Sequence, residues 1–298
     1  MKNGAKEPRR HHYVPRTYLK NFAIKEKNEW RIMVMDKIKN QPYSANIKDV
    51  AVEKDFYRID SKEDEFYWEH YYAEQIESLI PTTFNKLIAT CTLSVNNSNV
   101  IDAETKLKLA KIICSQLLRT KKSRESQFEI GQRTANNVLE SVRKQFEGLL
   151  SNEKIAYLDN FIYDEMLNKT MSLPIINDRD RINRFVEILQ NRYWVVYKNI
   201  KYNTSPLITS DHPVAFYNII TRETDFSTNG LGIPHTAIFF PINRELILGL
   251  YTQDMYFNTM FRLNNKMLIV DDVPFVMKLN RIQYEQCYRQ AYFSFKER

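Results

Sequence analysis

The spacing of apolar positions changes twice along the chain. Up to residue 60 they fall in short extended runs, with strand-like segments at 30–35 and around 55–59. Between 61 and 191 they recur at steps of three and four residues, which is the spacing of an amphipathic helix. From Arg192 onward the runs are short, β-branched or aromatic, and bounded by Pro, Asn and Gly, as in strands. The chain therefore changes from extended to helical and back to extended.

The middle stretch predicts several helices. The first covers 66–89, and Pro81 is expected to kink or break it because proline has no N–H to donate. The second begins after Asp102, whose carboxylate suits a helix N-cap. Shorter helices are expected near 153–170 and 178–191. A third long helix carries an apolar stripe that consists of Ala135, Val138, Leu139, Val142, Phe146 and Leu149.

Strands that are segregated from helices indicate an α+β fold rather than an alternating α/β fold. We expect an extended N-terminal segment, a central antiparallel helical region and a C-terminal antiparallel sheet of about four or five strands. A final helix over 274–293 is expected to close the chain. No low-complexity linker interrupts the sequence, so residues 1–298 are predicted to form a single domain with parts at 1–60, 61–191 and 192–298.

The amino-acid composition limits the kinds of fold and binding site that the chain can have. The chain is 43% hydrophobic and 13% aromatic, so it has enough apolar surface to fold. It contains 6 glycines, and none lies between Gly4 and Gly131, which excludes the glycine-rich loops that bind nucleotide phosphates. The formal net charge of +7 permits nucleic acid as a partner.

The three cysteines are far apart and odd in number, so the sequence predicts neither a disulfide framework nor a zinc site. No run of about 18 apolar residues occurs, so no membrane partner is expected. The cytoplasm is the expected compartment. The sequence does not indicate a partner protein.

The most distinctive segment is His12-Tyr13-Val14-Pro15, followed by Tyr18-Leu19 and Asn21-Phe22. It resembles the opening of a bacterial family of unknown function whose hallmark is this His-Tyr-Val-Pro motif. The family often has Pro where this chain has Lys121, so a longer helix is expected at that point. The resemblance implies positions and fold, with no activity to transfer. Further segments match the family pattern in order: Ile76-Glu77, Leu118-Arg119-Thr120, Thr209-Ser210-Asp211-His212-Pro213-Val214, Phe239-Phe240-Pro241 and Asn280.

His12 is the first candidate catalytic residue, since an imidazole can act as a base, a metal ligand or a phosphate partner near neutral pH. Its surroundings are similar to the first motif of HNH nucleases. No His occurs between His12 and His70, however, so the HNH arrangement is not expected. The alternative is that His12 holds the turn before Pro15.

Asp211 and His212 form the second candidate, in a Ser-Asp-His-Pro sequence between two apolar runs. Polar groups at a strand end often form sites, so Asp211 is predicted to be catalytic and His212 to bind substrate. The alternative is an Asx turn, in which the Asp211 side chain bonds to nearby backbone.

Glu69 and Glu77 of the first long helix are the predicted catalytic carboxylates. A buried carboxylate needs a partner, and His12 or Arg119 could supply one. Glu69 is expected to face the core, because at α-helical spacing it is in line with Ala73, Ile76, Ile80 and Leu87.

His70, Glu74 and Glu77 follow at spacings of four and three residues, which could bind a divalent metal. The alternative is a solvated helix face with incidental alignment. The cofactor is thus undefined by the sequence, with a divalent metal as one option.

Arg119 opens a run of four cations that ends at Arg124, and such a run suits a phosphate backbone. A helix C-terminus that attracts cations explains the run equally well. Arg119 could hold a phosphate or carboxylate through two N–H groups. Arg16 and Asn280, together with His212, complete the predicted binding residues.

The leading functional hypothesis is a nuclease-like phosphodiester hydrolase, in which His12, Asp211 and a helix carboxylate meet in one cleft. A microbial toxin or antiviral-defence role would suit such an activity. The second hypothesis is a non-enzymatic binding or regulatory module in which these polar residues are structural. The third is an enzyme that acts on a small anionic ligand in an aromatic pocket.

Overall fold

The computed structural model describes residues 9–39, 41–60, 64–224 and 229–294. Its helices are α1 (Arg16–Leu19), α2 (Tyr67–Tyr72), α3 (Leu79–Leu93), α4 (Ala103–Leu118), α5 (Lys121–Gln145), α6 (Asn152–Asp159), α7 (Glu165–Ile176), α8 (Arg179–Gln190) and α9 (Val273–Gln286). Its strands are β1 (Arg10–His12), β2 (Ile24–Glu26), β3 (Glu29–Asp36), β4 (Pro42–Asn46), β5 (Val52–Lys54), β6 (Tyr193–Asn199), β7 (Thr209–Ser210), β8 (Ala215–Asn218), β9 (Thr236–Pro241), β10 (Leu246–Tyr251), β11 (Lys266–Val270) and β12 (Gln290–Phe293). A π-helical segment, Ala73–Glu77, joins α2 to α3.

One sheet has the strand order β11-β6-β10-β9-β8 and lies between two hydrophobic cores. Its pairs are antiparallel except for β11 with β6, which run parallel. Alternate residues enter opposite cores, which is why β9 and β10 are buried at every position. Trp194, Phe240 and Leu248 share a core with residues of α3, α4 and α8. Val195 and Phe239 share the other with α9, so the predicted α+β fold with a C-terminal sheet and a helix against it is confirmed.

The second sheet joins both ends of the chain. Its order is β2-β3-β12-β7, with β4 also paired to β3. The final helix predicted over 274–293 is therefore wrong in its last part, because α9 ends at Gln286 and Gln290–Phe293 is a strand. The N–H groups of residues 288–290 bond to the Asp211 carboxylate, so they cannot continue the helical pattern. β7 also belongs to this sheet rather than to the C-terminal one.

Two helix boundaries differ from the sequence expectation. The longer helix expected at Lys121 is wrong: α4 ends at Leu118, and Thr120 caps a new helix by accepting a hydrogen bond from the Ser123 N–H. The break expected at Pro81 occurs just before it, in the π-helical segment, and Pro81 lies in the first turn of α3. Proline is tolerated in a first turn because its missing N–H would have no helical acceptor there. No helix in the described ranges is long and apolar enough to cross a membrane.

Gly249 on β10 provides a test of packing in the sheet. A Cβ atom there would lie 2.9 Å from the Tyr197 ring and 2.9 Å from the Tyr251 hydroxyl, and these two buried hydroxyls bond to each other. We expect Gly249→Ala to lower the free energy of unfolding by about 1–3 kcal/mol, because the tyrosines must leave their positions. Urea denaturation measures the change. Gly232→Ala is the matched control, since its Cβ would meet no atom within 4 Å, and equal midpoints for both variants would contradict the expected clash.

Candidate functional site

A buried arginine forms the centre of the candidate site. Arg119 follows α4, and its side chain is 0% exposed. Its Nη2 donates to the His12 carbonyl at 2.7 Å and to Glu77 Oε1 at 2.9 Å, and its Nε donates to the Tyr57 hydroxyl at 3.0 Å. The guanidinium carbon lies 4.3 Å from the centroid of the Tyr72 ring, as in a cation–π contact. The cation is thus held by four segments of the chain.

The π-helical segment brings two carboxylates to this arginine. Glu69 lies on α2, and Glu77 ends the segment. A π turn contains more residues than an α turn, so it rotates Glu77 away from the position that α-helical spacing predicts. Glu77 pairs with Arg119, and the charges of both residues act on Glu69. The expected alignment of Glu69 with Ala73 on a core face is wrong for Ala73, which is exposed at the start of the π-helical segment.

Glu69 carries a carboxyl group suited to proton transfer. The side chain is half-buried, and Oε2 has no hydrogen-bond partner among the described residues. Burial raises the pKa of Glu69 to about 7. The charge of Arg119 acts to lower this pKa, and the charge of Glu77 acts to raise it. A group with a pKa near 7 gains and loses a proton close to neutral pH, as general acids and bases do.

His12 presents a neutral imidazole. Burial, followed by the charge of Arg16, lowers the pKa of His12 to about 4, and a hydrogen bond to the Ile47 backbone acts in the opposite direction. Nε2 is buried and has no partner among the described residues, so we assign the Ile47 bond to Nδ1. A bond that stabilises the charged form is one that the ring donates. Nε2 then carries a lone pair that can accept a proton.

Asp211 holds the end of the chain in place. Its carboxylate accepts hydrogen bonds from the backbone N–H groups of Tyr288, Arg289 and Gln290, each at 2.8 Å. Burial raises the pKa of Asp211 to about 6, while these N–H donors act in the opposite direction. Asp211 also lines a cavity of about 500 Å³ together with Tyr13 of the His-Tyr-Val-Pro motif. His12 is not among the described residues that line this cavity.

His212 and Asn280 also bond inside the protein. His212 Nδ1 lies 2.7 Å from Thr120 Oγ1, and burial lowers the pKa of His212 to about 3. Asn280 lies within α9, donates to the Pro206 carbonyl at 2.9 Å and accepts from the Ile208 N–H at 3.1 Å. These bonds attach the segment before β7 to α9.

The predicted site residues therefore form two adjoining sets. In the first set, the Arg119 guanidinium bonds to Glu77 and to the His12 carbonyl, and its charge acts on Glu69. Arg16 is exposed, and its charge lowers the pKa of His12. The second set fixes the β7 and β12 region, and it consists of Asp211, His212 and Asn280. They adjoin because Thr120, the partner of His212, follows Arg119 directly.

The metal alignment expected on the first helix does not form a cluster. Glu77 pairs with Arg119, whereas His70 Nδ1 lies 3.3 Å from Asp64 Oδ2. Across the described ranges, no group of three or more His, Cys, Asp or Glu side chains is placed to hold a metal ion.

Sequence reasoning missed two residues of the site, Tyr57 and Tyr72. Both rings lie within 5.5 Å of the Arg119 guanidinium carbon, and the Tyr57 hydroxyl also donates to the Arg119 carbonyl at 3.2 Å. In the sequence each occurs among other aromatic residues, which resemble ordinary core positions. No local signal distinguishes a tyrosine that supports a distant cation.

Comparison with known proteins identifies a family of unknown function. A family model described as "Protein of unknown function (DUF4238)" matches residues 10–297. No curated protein and no solved structure matches the chain.

Replacing Asp211 with Ala leaves three partly buried backbone N–H groups without their acceptor. We expect the free energy of unfolding to fall by at least about 3 kcal/mol, because each unpaired buried donor costs about 1–3 kcal/mol. Denaturant unfolding measures the loss. Asp271→Ala is the control, since it removes only an exposed pair with Lys201 and should cost less than about 1 kcal/mol. Similar losses for both variants would show that the Asp211 bonds contribute little.

Replacing Glu69 with Gln should stabilise the protein above pH 7. The folded state keeps the Glu69 proton up to about pH 7, whereas the unfolded chain loses it near 4.5, so stability falls as pH rises between these values. The variant lacks this loss, and its advantage at pH 8 should approach roughly 3 kcal/mol. Unfolding measured from pH 4 to 8 tests this, with exposed Glu74→Gln as the control. An advantage that does not grow with pH would contradict a raised pKa.

Proposed function

We propose that this chain, which belongs to the DUF4238 family, is a phosphodiester hydrolase with its catalytic groups around Arg119. The single observation that carries the proposal is a set of three buried polar atoms without hydrogen-bond partners among the described residues. They are His12 Nε2, Glu69 Oε2 and Arg119 Nη1. Folded proteins pair nearly all such atoms, so one on the Arg119 cation and one on each of two residues that its charge acts on support a site that serves a ligand.

The chemistry of the three atoms matches the needs of phosphodiester hydrolysis. A lone pair on His12 can take the proton of an attacking water. The protonated Glu69 carboxyl can give a proton to the leaving oxygen. The Arg119 guanidinium can stabilise the negative charge on the phosphate oxygens, and it is already desolvated, so this interaction is strong.

The proton balance of the proposed reaction closes within the site. Water attacks phosphorus as His12 Nε2 accepts its proton, and the bond to the leaving oxygen breaks as that oxygen receives the Glu69 proton. Transfer of a proton from His12 to Glu69 through solvent then restores both groups. Glu77 keeps the guanidinium in position through its bond at 2.9 Å and is a positioning residue in this scheme.

Substrate binding should move both pKa values in the useful direction. The charges of Arg16, Arg10 and Arg119 contribute to the low pKa of His12. A phosphate bound beside these arginines offsets their charges, which raises the pKa of His12 and makes it a better base. The same negative charge raises the pKa of Glu69 and keeps its carboxyl protonated. Exposed Arg16 is the residue that would meet the phosphate first.

Nucleic acid is the proposed substrate class. The formal net charge of +7 favours attraction of a polyanion. The cytoplasm is the proposed compartment, because all three cysteines are unpaired, as is usual where thiols stay reduced.

Cleavage of labelled single-stranded RNA and DNA by the purified protein tests this proposal. Activity should fall about 10²–10⁴-fold in Glu69→Gln, which cannot transfer a proton, and in His12→Asn, which retains a group in place of Nδ1 but has none in place of Nε2. The value of kcat/KM should be constant between about pH 4 and about pH 7. It should fall below this range as His12 gains a proton and above it as Glu69 loses one.

Two nearby residues provide controls. Glu74→Gln and His70→Gln replace the same residue types on the same helical segment, and they should cleave at the wild-type rate. Metal chelation and addition of divalent ions are run in parallel. Wild-type cleavage by both Glu69→Gln and His12→Asn would overturn the proposal, as would a folded protein that cleaves neither nucleic acid under any of these conditions.

A binding or regulatory module is the second proposal, favoured by the number of motif residues whose side chains bond internally. Asp211 and Asn280 bond to backbone, and Tyr18 bonds to Thr209 Oγ1 at 2.7 Å and to the Pro241 carbonyl at 2.8 Å. Under this proposal His12→Asn lowers the melting temperature and there is no turnover to alter. A thermal melt beside the cleavage assay separates the two proposals.

A further inference from the structure

Arg119 and the residues that contact its guanidinium, namely His12, Tyr57, Tyr72 and Glu77, are called the Arg119 cluster below. A second cavity lies beside this cluster, between α2, the π-helical segment, α4 and the start of α8. Its volume is about 510 Å³. Its lining includes the aromatic rings of Tyr67 and Tyr71 and the cations Lys111 and Arg179, and no described Asp or Glu. The lining thus combines aromatic rings with an uncompensated positive charge.

The aromatic wall offers surfaces for stacking. The rings of Tyr67 and Tyr71 are nearly parallel, with an interplanar angle of 19° and centroids 6.5 Å apart. Tyr67 is 44% exposed, although it lies against the edge of Trp68. Stacking of a base on an aromatic ring is worth about 1–3 kcal/mol and does not depend on the identity of the base.

The polar wall offers charge and hydrogen bonds. Lys111 and Arg179 are exposed, and neither forms an ion pair with another described residue. Ser115 is 6% exposed, lines the cavity, and its Oγ has no hydrogen-bond partner among the described residues. Asn183 adds an exposed amide that could bond to a base edge.

Two links connect this cavity to the Arg119 cluster. Ser115 precedes Arg119 by one helical turn, and its carbonyl accepts the Arg119 backbone N–H at 3.0 Å. The Tyr72 ring lies against the Arg119 guanidinium, and its hydroxyl donates to Asn177 Oδ1 in the cavity wall at 3.0 Å. A single tyrosine side chain therefore separates the cavity wall from the proposed catalytic groups.

We propose that this cavity is a base-binding subsite for single-stranded nucleic acid, with bases stacked on Tyr67 and Tyr71 and neighbouring phosphates beside Lys111 and Arg179. The inference rests on the proposed function, because the subsite would position the adjoining phosphodiester at His12 and Glu69. A duplex is excluded as the preferred ligand, since its bases are already stacked on one another and present no free face to the tyrosines.

Fluorescence anisotropy of labelled oligouridylate, of the matching deoxyoligonucleotide and of a duplex tests the subsite. Binding is measured with the Glu69→Gln protein, so that the ligand stays intact. Tyr67→Leu combined with Tyr71→Leu should weaken binding of the single strands by about 10-fold or more. Tyr71→Phe should bind normally because it keeps the ring. Whether RNA or deoxyoligonucleotide binds more tightly identifies the natural strand.

Lys111→Gln with Arg179→Gln should reduce the slope of log affinity against log salt by about 0.7 for each phosphate that the variant no longer neutralises. Tyr157→Leu and Lys154→Gln on exposed α6 are the controls and should leave both the affinity and the salt slope unchanged.

Absence of single-strand binding, preference for duplex, or normal binding by the double tyrosine variant would each overturn the subsite. Cleavage that does not need the tyrosines would overturn the subsite alone, whereas tyrosine-dependent binding without cleavage would overturn the proposed function alone.

Discussion

The Arg119 guanidinium must be compensated inside the protein, and much of the structure around it follows from that requirement. A fully buried cation loses its hydration, and only close donors of negative potential can replace it. A backbone carbonyl of β1, a tyrosine hydroxyl, a tyrosine ring and a carboxylate supply that potential here. They come from the His-Tyr-Val-Pro segment, the segment after β5, α2 and the π-helical segment. The Arg119 side chain thereby joins four parts of the chain.

The polar side chains discussed above differ in whether all of their hydrogen-bonding atoms have partners. Asp211 accepts three backbone N–H groups, and Asn280 uses both its donor and its acceptor. Such fully engaged side chains hold strands and helices together. His12, Glu69 and Arg119 each keep one buried atom without a partner in the described part of the chain. Unpaired buried groups are costly, and a ligand that bonded to these three atoms would remove that cost.

The π-helical segment sets the position of Glu77 relative to Glu69. An uninterrupted α-helix would rotate Glu77 by roughly 80° from Glu69 around the helix axis. The wider turn reduces that rotation and brings both carboxyl groups within the electrostatic reach of Arg119. Glu77 pairs with the cation, whereas burial raises the pKa of Glu69 to about 7 against the charge of Arg119. Tyr67 and Tyr71 of α2, which precede this turn, line the neighbouring cavity. The two tyrosine rings and the Glu69 carboxyl thus belong to the same short helix, α2.

Features that depend on near neighbours in the chain could be predicted from the sequence. The Asp102 cap, the helical spacing of α4 and the short apolar runs of β9 and β10 follow from local spacing, and so the α+β fold was predictable. The family-like motif also identified Arg119, His12 and Glu77 as residues of interest. The tertiary structure decided how they are used, because His12 and Arg119 are 107 residues apart in the chain. It also turned the end of the predicted last helix into β12, since Asp211 captures N–H groups 77 to 79 residues away. Which groups compensate a buried charge, and which side chains accept backbone N–H groups, depends on residues that meet only after folding. The spacing of residues along the chain therefore does not predict these contacts.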